Sequence, residues 1–467
     1  MKPKDTRKLF GTDGIRGEAG KFPLDPSTIR IIGTSLARQL AQRTGDAPSI
    51  IIGRDTRESG PWIQHDLIVG ARKGGAAVQS AGIIPTPGVA FLARTLGVAA
   101  GLVISASHNP YEDNGIKVFD PSGRKLDDTT ERLIESEVAA ARPGTGQEGQ
   151  LPNQRAGGPA PDEEEAAAEL RQRYLDYLAE EIGCDLSLAG IKMIVDCANG
   201  AAFELAPELF RRLGSRVFAI NTEPDGRNIN RDCGSLHMEE LRQRTIAERA
   251  DIGVALDGDA DRALFIDAHG NLVDGDATMW IMANYLKSRG DLATDTVVGT
   301  VMSNLGLEVA LRSRGIKLVR TDVGDKYVLE ELIRSGAAIG GEQSGHIIFP
   351  RLSLAGDGMM TSLFLLRVMR DEKKSLAELT AGFQRYPQVL VNVRVREQPP
   401  FESLPSVSRR ARQVEEELGD RGRLLLRYSG TEPLARVMIE GESEAEVRAH
   451  AAALADAISA ELGVDAA

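Results

Sequence analysis

Cysteine is scarce in this sequence of 467 residues, which contains only Cys184, Cys197 and Cys233. Three cysteines so widely spaced favour neither a disulfide framework nor a zinc cluster. Aromatic residues are also sparse at 4%, whereas hydrophobic residues make up 42% of the chain. Small aliphatic side chains must therefore fill the cores, and this composition favours α/β layers over an all-β sandwich.

Long apolar runs are missing as well. No run of 18 apolar residues occurs, and the opening stretch MKPKDTRKLFGTDG has no apolar segment of the kind a signal peptide needs. We therefore expect a cytoplasmic protein with no membrane partner.

Positive charge is not in excess either, because 56 basic residues face 68 acidic ones for a net charge of −12. This balance argues against nucleic acid as a partner, and an anionic substrate would need a local basic pocket.

Short apolar runs alternate with amphipathic segments along most of the chain. The apolar spacing predicts a helix over 26–44, and the run at 49–55 predicts a buried strand. The same alternation recurs in two further stretches, while the last part of the chain predicts a small sheet with two helices. A segment rich in Gly, Pro, Gln and acidic residues, 143–165, interrupts the pattern and indicates a boundary.

We therefore predict an α/β protein with three similar domains built on mixed sheets, followed by a C-terminal α+β domain, all around a central cleft. The predicted domains are 1–158, 159–262, 263–378 and 379–467. Ligands of such sheets gather beyond the carboxyl ends of the strands. Each predicted domain has an unusual polar loop at such a strand end.

The first polar loop is SASHNP, which follows the apolar run at 102–104. Ser107 is a candidate nucleophile, and His108 and Lys117 are candidate proton carriers close to it in sequence. An ordinary turn is the alternative, because Ser, Asn and Pro are common turn formers.

The second loop, LDGDADR, places three carboxylates at alternate positions, Asp257, Asp259 and Asp261. Three such groups cannot all ionise close together without a cation, and ligands that are all oxygen indicate Mg²⁺ or Ca²⁺. An EF-hand does not fit, because Arg262 stands where that loop needs glycine. A solvated acidic turn is the alternative.

The third and fourth loops carry hydrogen-bonding groups with few bulky side chains. IGGEQSGH suits a polyhydroxylated ligand, with Glu342 and Ser344 as candidate partners of sugar hydroxyls. RYSGTEPLAR offers hydroxyls, backbone N–H groups and two guanidinium groups, which is what a phosphate monoester requires. Either loop alone is also typical of a plain turn. The four loops in order, one per domain, favour phosphoryl transfer on a sugar.

The same residues resemble a known family. GTDGIRG (11–17), ISASHNPYEDNGIK (104–117), DGDADR (257–262), GGEQSGH (340–346) and RYSGTEP (427–433) are similar to the motifs of the α-D-phosphohexomutase superfamily. The resemblance covers essentially the whole chain in order. Further segments resemble the bacterial phosphoglucosamine mutases of that superfamily, and they are NINRDCGSLH (228–237), GTVMSNLGLE (299–308), VGDKYV (323–328) and SGTEPLARVMIEGE.

The resemblance implies a reaction and its cofactors. It implies reversible conversion of glucosamine 6-phosphate into glucosamine 1-phosphate, through a phosphorylated Ser107 and glucosamine 1,6-bisphosphate as intermediate. The product would feed UDP-N-acetylglucosamine and cell-wall synthesis, and the enzyme could form a homodimer. One Mg²⁺ per chain would be held by the phosphoserine with Asp257, Asp259 and Asp261.

The resemblance also assigns the remaining site residues. The reacting centre would be lined by Arg16, His108, Lys117 and Arg262, with Lys117 the leading candidate for proton transfer. The sugar would be read by Glu342, Ser344 and His346. The phosphate that is not transferred would be bound by Arg427, Ser429, Gly430, Thr431 and Arg436.

The sequence departs from the family pattern at a few positions, none of which removes a reacting group. Ala260 stands in the acidic loop where glycine is more usual, and Tyr428 replaces a common lysine. Two alternatives remain open. One is a phosphomannomutase or phosphoglucomutase with the same mechanism, and the other is a metal-dependent phosphatase with an aspartate nucleophile.

Overall fold

The computed structural model describes residues 9–11, 13–141, 161–429 and 433–463. The described residues divide into two compact units. One unit contains the chain up to Thr300 together with Thr321–Thr380, and the other contains Val301–Arg320 together with the chain from Ala381 onward. Most of the predicted boundary segment, 143–165, lies outside the described residues, and a helix already begins at Pro161.

The first sheet has six strands and carries the SASHNP loop. Its elements in chain order are β1 (Phe10–Gly11), β2 (Gly14–Glu18), α1 (Pro26–Thr44), β3 (Ser49–Arg54), α2 (Gly60–Lys73), β4 (Ala77–Ile83), α3 (Thr86–Thr95), β5 (Ala100–Ile104), β6 (Asp113–Phe119) and α4 (Asp128–Ala141). The strand order is β1-β2-β6-β5-β3-β4. Strand β3 is parallel to β4 and β5, whereas β6 is antiparallel to both β5 and β2. The sheet is therefore mixed, as predicted.

Helix α1 shows why the sequence pattern located these elements well. The side chain of Asp25 accepts a hydrogen bond from the backbone N–H of Thr28, and Pro26 occupies the first turn, where its missing N–H costs nothing. Gly45 ends the helix with a φ of 76°, a conformation that glycine adopts without a Cβ penalty. The predicted apolar stripe is buried in the core beneath it.

The second sheet carries the acidic loop. Its elements are α5 (Pro161–Asp176), β7 (Lys192–Asp196), α6 (Leu205–Arg212), β8 (Arg216–Ile220), α7 (Glu239–Ala247), β9 (Ile252–Leu256), β10 (Ala263–Asp267) and β11 (Leu272–Val273). The order is β11-β10-β9-β7-β8, and β10 runs antiparallel to β9. The sequence analysis starts the third domain at residue 263, but the structure differs, because β10 completes the second sheet. Six residues between two strands can form a hairpin but not a parallel crossover.

The chain continues through α8 (Gly275–Arg289), β12 (Thr296–Thr300), α9 (Leu305–Ser313), β13 (Lys317–Thr321), α10 (Asp325–Ser335), β14 (Ile339–Gly341), β15 (Ile347–Ile348), α11 (Gly358–Glu372) and α12 (Leu376–Leu379). Strand β14 is parallel to β12 and antiparallel to β15. The GGEQSGH loop therefore spans the turn of a short hairpin.

The second compact unit contains the last sheet. Its elements are β16 (Gln388–Arg394), α13 (Pro405–Leu418), β17 (Gly422–Tyr428), β18 (Leu434–Gly441) and α14 (Glu444–Leu462), and α9 belongs to the same unit. The strand order is β16-β18-β17, all antiparallel, and apolar residues of the strands pack against α13 and α14. The predicted fold class, mixed sheets with helices and a C-terminal α+β domain, is confirmed. Among the described residues, no helix is both long and apolar enough to cross a membrane.

Candidate active site

The SASHNP loop leaves β5 in a strained conformation that aims Ser107 inward. Ser107 has a φ of 53°, which is uncommon for a residue with a Cβ, and its side chain is 1% exposed. Its backbone N–H donates to Ser105 Oγ at 2.9 Å, and Ser105 Oγ donates to Asp55 Oδ2 at 2.7 Å. The loop is therefore built around buried polar contacts and is not an ordinary surface turn.

A buried arginine that the sequence analysis did not identify fixes this loop. Arg57 lies at 0% exposure, and its Nε donates to Asp55 Oδ2 at 2.9 Å. Its Nη2 donates to the carbonyl oxygens of Ser107 at 3.0 Å and Asn109 at 2.8 Å. Its Nη1 donates to the carbonyl oxygens of Pro110 and Asp113. All five N–H donors of the guanidinium are thus used, four of them on backbone carbonyls of the loop and the start of β6.

The acidic loop meets the SASHNP loop directly. Asp257, Asp259 and Asp261 are buried, and one ligand atom from each lies within 4.8 Å of the others. Ser107 Oγ donates to Asp257 Oδ2 at 2.5 Å. A Cβ at Gly258 would lie 2.5 Å from the carbonyl oxygen of Ser107, so only glycine allows the two backbones to approach this closely.

The electrostatics of the three carboxylates fit a bound cation. Burial, together with the charges of Asp261 and Asp259, raises the pKa of Asp257 to about 8. Burial opposes ionisation of Asp261 as well, but Lys117 and His346 lower its pKa well below the ordinary value. Within the described residues, Asp259 Oδ1 and Asp261 Oδ1 are buried without a hydrogen-bond partner. Unpartnered carboxylate oxygens in a buried acidic cluster are the ligands that Mg²⁺ prefers, so the residues present fit that ion.

Lys117 lies in the same cluster and is 1% exposed. Its Nζ is 2.8 Å from Asp259 Oδ2, 3.1 Å from Asp13 Oδ2 and 3.2 Å from Asp261 Oδ2. Burial disfavours the charge of Lys117, but these carboxylates outweigh it and raise its pKa well above the ordinary value. Lys117 is therefore an ammonium in this arrangement.

A cavity of about 450 Å³ adjoins the cluster. Its lining includes six of the predicted site residues, which are Arg16, His108, Asp261, Arg262, Glu342 and His346. His108 Nδ1 lies 3.0 Å from Arg262 Nη1 and 3.4 Å from Ser107 Oγ. Burial, followed by the charges of Arg262 and Arg16, lowers the pKa of His108 to about 4, so its ring is neutral at pH 7. The two arginines provide the local positive charge that an anionic substrate requires.

The GGEQSGH loop forms another wall of this cavity. Glu342 Oε1 accepts a hydrogen bond from the backbone N–H of Gly324 at 2.9 Å, and Ser344 Oγ donates to Glu342 Oε2 at 3.3 Å. His346 Nε2 lies 3.2 Å from the backbone nitrogen of Gly356, and its Nδ1 lies 3.6 Å from Asp261 Oδ1. The structure thus brings the first three predicted loops together around one cavity.

The fourth loop lies in the second compact unit. Arg427 and Arg436 face each other across β17 and β18, and Arg436 Nη2 donates to Ser429 Oγ at 3.4 Å. Gly430 and Thr431 lie outside the described residues. Tyr428 stacks on Phe401 with ring centroids 4.1 Å apart. The aromatic replacement of the usual lysine therefore has a packing role.

Two further residues beside the site were missed. Asn230 Nδ2 donates to the carbonyl oxygens of Ser107 at 2.9 Å and Asn109 at 3.1 Å, and Asp13 contacts Lys117 as described above. Both lie in motifs that the resemblance includes, NINRDCGSLH and GTDGIRG, so the motifs were the available signal. The sequence signal for Arg57 was weaker, because it consisted only of the charged residues at the end of strand β3.

Comparison with known families shows where this architecture belongs. Four domain profiles of the phosphoglucomutase/phosphomannomutase family match the chain in order. Alpha/beta/alpha domains I, II and III match residues 7–144, 172–270 and 274–386, and the C-terminal domain matches 390–457. The chain belongs to this family. Domain II ends at residue 270, in agreement with the place of β10 in the second sheet.

Within the family, the chain is similar to phosphoglucosamine mutases. It is 50% identical to the phosphoglucosamine mutase of Solibacter usitatus (strain Ellin6076), over 98% of this chain and 99% of that protein. It is 47% identical to that of Koribacter versatilis (strain Ellin345), over 99% and 98%.

Solved structures share the fold. A phosphoglucomutase/phosphomannomutase family protein from Burkholderia thailandensis aligns over 97% of both chains, with a TM-score of 0.75 and 24% identity. The Aspergillus fumigatus N-acetylphosphoglucosamine mutase, solved with GlcNAc-6P and magnesium, aligns over 96% of this chain and 95% of that one, with a TM-score of 0.63 and 18% identity.

Proposed function

We propose that this protein interconverts glucosamine 6-phosphate and glucosamine 1-phosphate. The observation that carries the proposal is the contact between Ser107 Oγ and Asp257 Oδ2 at 2.5 Å, next to a cavity with two arginines. A hydroxyl nucleophile on a metal-type carboxylate cluster, facing a positively charged cavity, is the arrangement that phosphoryl transfer requires. The relatives named phosphoglucosamine mutase support the choice of sugar.

In the proposed reaction, Ser107 starts each cycle as a phosphoserine. The free 1-hydroxyl of glucosamine 6-phosphate attacks its phosphorus, so that a bond forms from O1 to phosphorus and the bond from Oγ to phosphorus breaks. The proton released from O1 replaces the one that Lys117 gives to Oγ, so this half gains and loses no proton and gives glucosamine 1,6-bisphosphate. After the intermediate turns over, Oγ attacks the phosphorus of the 6-phosphate, so that a bond forms from Oγ to phosphorus and the bond from O6 to phosphorus breaks. The proton released from Oγ replaces the one that O6 takes up, and glucosamine 1-phosphate leaves with the phosphoserine restored.

The residues around Ser107 have separate roles in this scheme. Arg16 and Arg262 bind the phosphate groups in the cavity, where their positive charges stabilise the negative charge of the phosphates. Lys117, an ammonium in the described arrangement, gives the proton to the departing oxygen. His108, neutral and in contact with both Ser107 and Arg262, orients the two.

Other residues of the site would hold the metal ion and contact the sugar. Asp257, Asp259 and Asp261 would hold Mg²⁺ together with the phosphoserine, and the bound ion would offset negative charge on the transferring group. Glu342, Ser344 and His346 read the sugar hydroxyl and amino groups. The phosphate that is not transferred is bound by the C-terminal loop residues Arg427, Ser429, Gly430, Thr431 and Arg436.

The experiment that tests the proposal compares wild type with Ser107→Ala by intact mass and by a glucosamine 6-phosphate mutase assay with Mg²⁺. We expect one phosphate on wild type and none on the variant, and activity reduced at least a thousandfold. Ser122→Ala, which removes an exposed serine of the same domain, is the matched control and should keep both properties. Full activity of Ser107→Ala would overturn the proposal and favour an aspartate nucleophile.

A second candidate is a phosphomannomutase or phosphoglucomutase of the same mechanism, because the matching family bears those names. Values of kcat/KM for glucosamine, glucose and mannose phosphates separate the two. We expect glucosamine 6-phosphate to be preferred. Release of free phosphate from any of these sugars, with no isomer formed, would instead indicate a phosphatase.

We also propose that the product feeds UDP-N-acetylglucosamine and cell-wall synthesis, on the strength of the similarity to phosphoglucosamine mutases. The homodimer and the cytoplasmic location stay predictions of the sequence analysis. Sedimentation of the purified protein and localisation of a tagged chain would test them.

A further inference from the structure

Two aspartates from different motifs of this chain have no role in the proposed reaction so far, and one side chain joins them. Asp13 belongs to GTDGIRG, and Asp325 belongs to VGDKYV. Lys125, which follows β6, places its Nζ 2.5 Å from Asp13 Oδ1 and 2.5 Å from Asp325 Oδ2. The side chains of all three are at most one-quarter exposed, so solvent screens these ion pairs much less than it screens surface pairs.

Each carboxylate held by Lys125 contacts a different part of the site. Asp13 uses its other oxygen, Oδ2, to contact Lys117 Nζ at 3.1 Å, and it also pairs with Arg16. Asp325 begins α10, and the residue before it, Gly324, donates its backbone N–H to Glu342 Oε1 at 2.9 Å. Lys125 thus lies between the reacting centre and the sugar loop.

The charges explain why Lys125 is needed. Asp13 faces Lys117, Arg16 and Lys125, and these three cations lower its pKa although burial opposes ionisation. Burial disfavours the charge of Lys125 in turn, but Asp325 and Asp13 raise its pKa. Removing the Lys125 ammonium would leave two partly buried carboxylates facing each other, and like charges at that spacing repel.

We infer that Lys125 is a positioning residue of the mutase reaction, which holds Asp13 against Lys117 and holds Asp325 where Gly324 orients Glu342. This inference rests on the proposed function. The inference predicts that loss of the Asp13 charge and loss of the Asp325 charge have different effects on the kinetics. Loss of the Asp13 charge disturbs Lys117 and therefore the chemical step, whereas loss of the Asp325 charge disturbs Glu342 and therefore sugar binding. Loss of Lys125 disturbs both.

The test is steady-state kinetics with glucosamine 6-phosphate on four variants. Asp13→Asn is expected to lower kcat about tenfold to a hundredfold with KM within threefold of wild type, in the range typical of residues that orient catalytic groups. Asp325→Asn is expected to raise KM by about tenfold with a smaller change in kcat. Lys125→Met should change both, and Lys125→Arg should recover most of the loss because a guanidinium can bridge two carboxylates.

The matched control is Lys326→Met. Lys326 lies next to Asp325 and pairs with Asp128 on the surface, so the same substitution there should leave kcat and KM within twofold of wild type. A purely structural role for Lys125 would lower the melting temperature without the split between kcat and KM. If Lys125→Met does not fold, the comparison of Asp13→Asn with Asp325→Asn still tests the split.

Three outcomes separate the inference from the proposed function. An inactive wild type without phosphate on Ser107 would refute the function itself. An active wild type with Lys125→Met within twofold of its kcat and KM would overturn the inference alone. An active wild type in which Asp13→Asn and Asp325→Asn change the same parameter would also overturn it, because the two carboxylates would then have no separate roles.

Discussion

Replacing Arg57 by lysine tests how the SASHNP loop keeps its conformation. The guanidinium of Arg57 donates five hydrogen bonds, one to Asp55 and four to backbone carbonyls of residues 107–113. Lysine carries the same charge but only three donors, so at least two of these bonds are lost in a buried place. Bonds to a charged group contribute about 1.5–3 kcal/mol each, so we expect the loop to be destabilised by about 3 kcal/mol.

Hydrogen exchange is the suitable assay because it reports local opening. The backbone N–H groups of Ser107 and Asn109 are both hydrogen-bonded within the loop. Since about 1.4 kcal/mol is a factor of ten, a loss of about 3 kcal/mol should speed their exchange by roughly a hundredfold. Arg334→Lys, on an exposed pair with Glu331, is the control and should leave the loop unchanged. Exchange within threefold of wild type in Arg57→Lys would refute this account of the loop.

Three further substitutions and one metal experiment test other parts of the molecule. Burial raises the pKa of Asp196 to about 6, so its neutral form stabilises the fold at low pH, and about 3 kcal/mol of stability should disappear as pH rises from about 3 to 7. Urea unfolding across this range should show a loss of stability that is larger in wild type than in Asp196→Asn by about this amount, since other groups such as Asp357 and His108 titrate in both proteins, and an equal pH dependence of the two proteins would contradict the prediction. Tyr428→Lys should lower the free energy of unfolding by about 2 kcal/mol, because it removes the stack on Phe401 and the hydrogen bond to the Pro399 carbonyl. Thermal unfolding measures this change, and an unchanged melting temperature would exclude the packing role of Tyr428. Ala260→Gly should keep activity and change the free energy of unfolding by less than about 1 kcal/mol. Glycine relieves the backbone strain at a φ of 54°, and this gain offsets the lost burial of the alanine methyl group. A larger loss of stability would show that the strain is not released. Chelation of divalent cations should abolish mutase activity and Mg²⁺ should restore it, and activity retained without any divalent cation would contradict the metal assignment.

The sequence predicted the loops of the site better than it predicted the domain limits. A polar loop directly after a buried apolar run marks a strand end wherever it occurs, so the positions of Ser107 and the three aspartates could be predicted without a structure. The start of the third domain at residue 263 failed because an apolar run after a polar loop was interpreted as a new unit. The length of that loop, 257–262, was a usable signal, since so short a connection favours a hairpin.

Other features had no local signal. Residues 301–320 belong with the C-terminal sheet, and one of the contacts between them joins Asn304 Nδ2 to Glu440 Oε1 at 3.2 Å. Arg423 also donates to Glu440, which is fully buried. These partners are 17 to 136 residues apart in sequence, and one sequence without relatives cannot pair them.

The two loops that carry the proposed chemistry hold conformations that their own residues disfavour. Ser107 and Ala260 both have positive φ, at a cost of about 1–3 kcal/mol each. Such strain persists only where surrounding groups impose it, and here Arg57 and Asn230 donate to the carbonyl oxygen of Ser107 from other elements. The SASHNP loop therefore does not determine its own geometry. The residues that impose it lie 50 and 123 positions away from Ser107 in the sequence. These two donors hold the carbonyl oxygen of Ser107 while its hydroxyl donates to Asp257 Oδ2, and preorganisation of this kind would lower the barrier of the proposed transfer reaction.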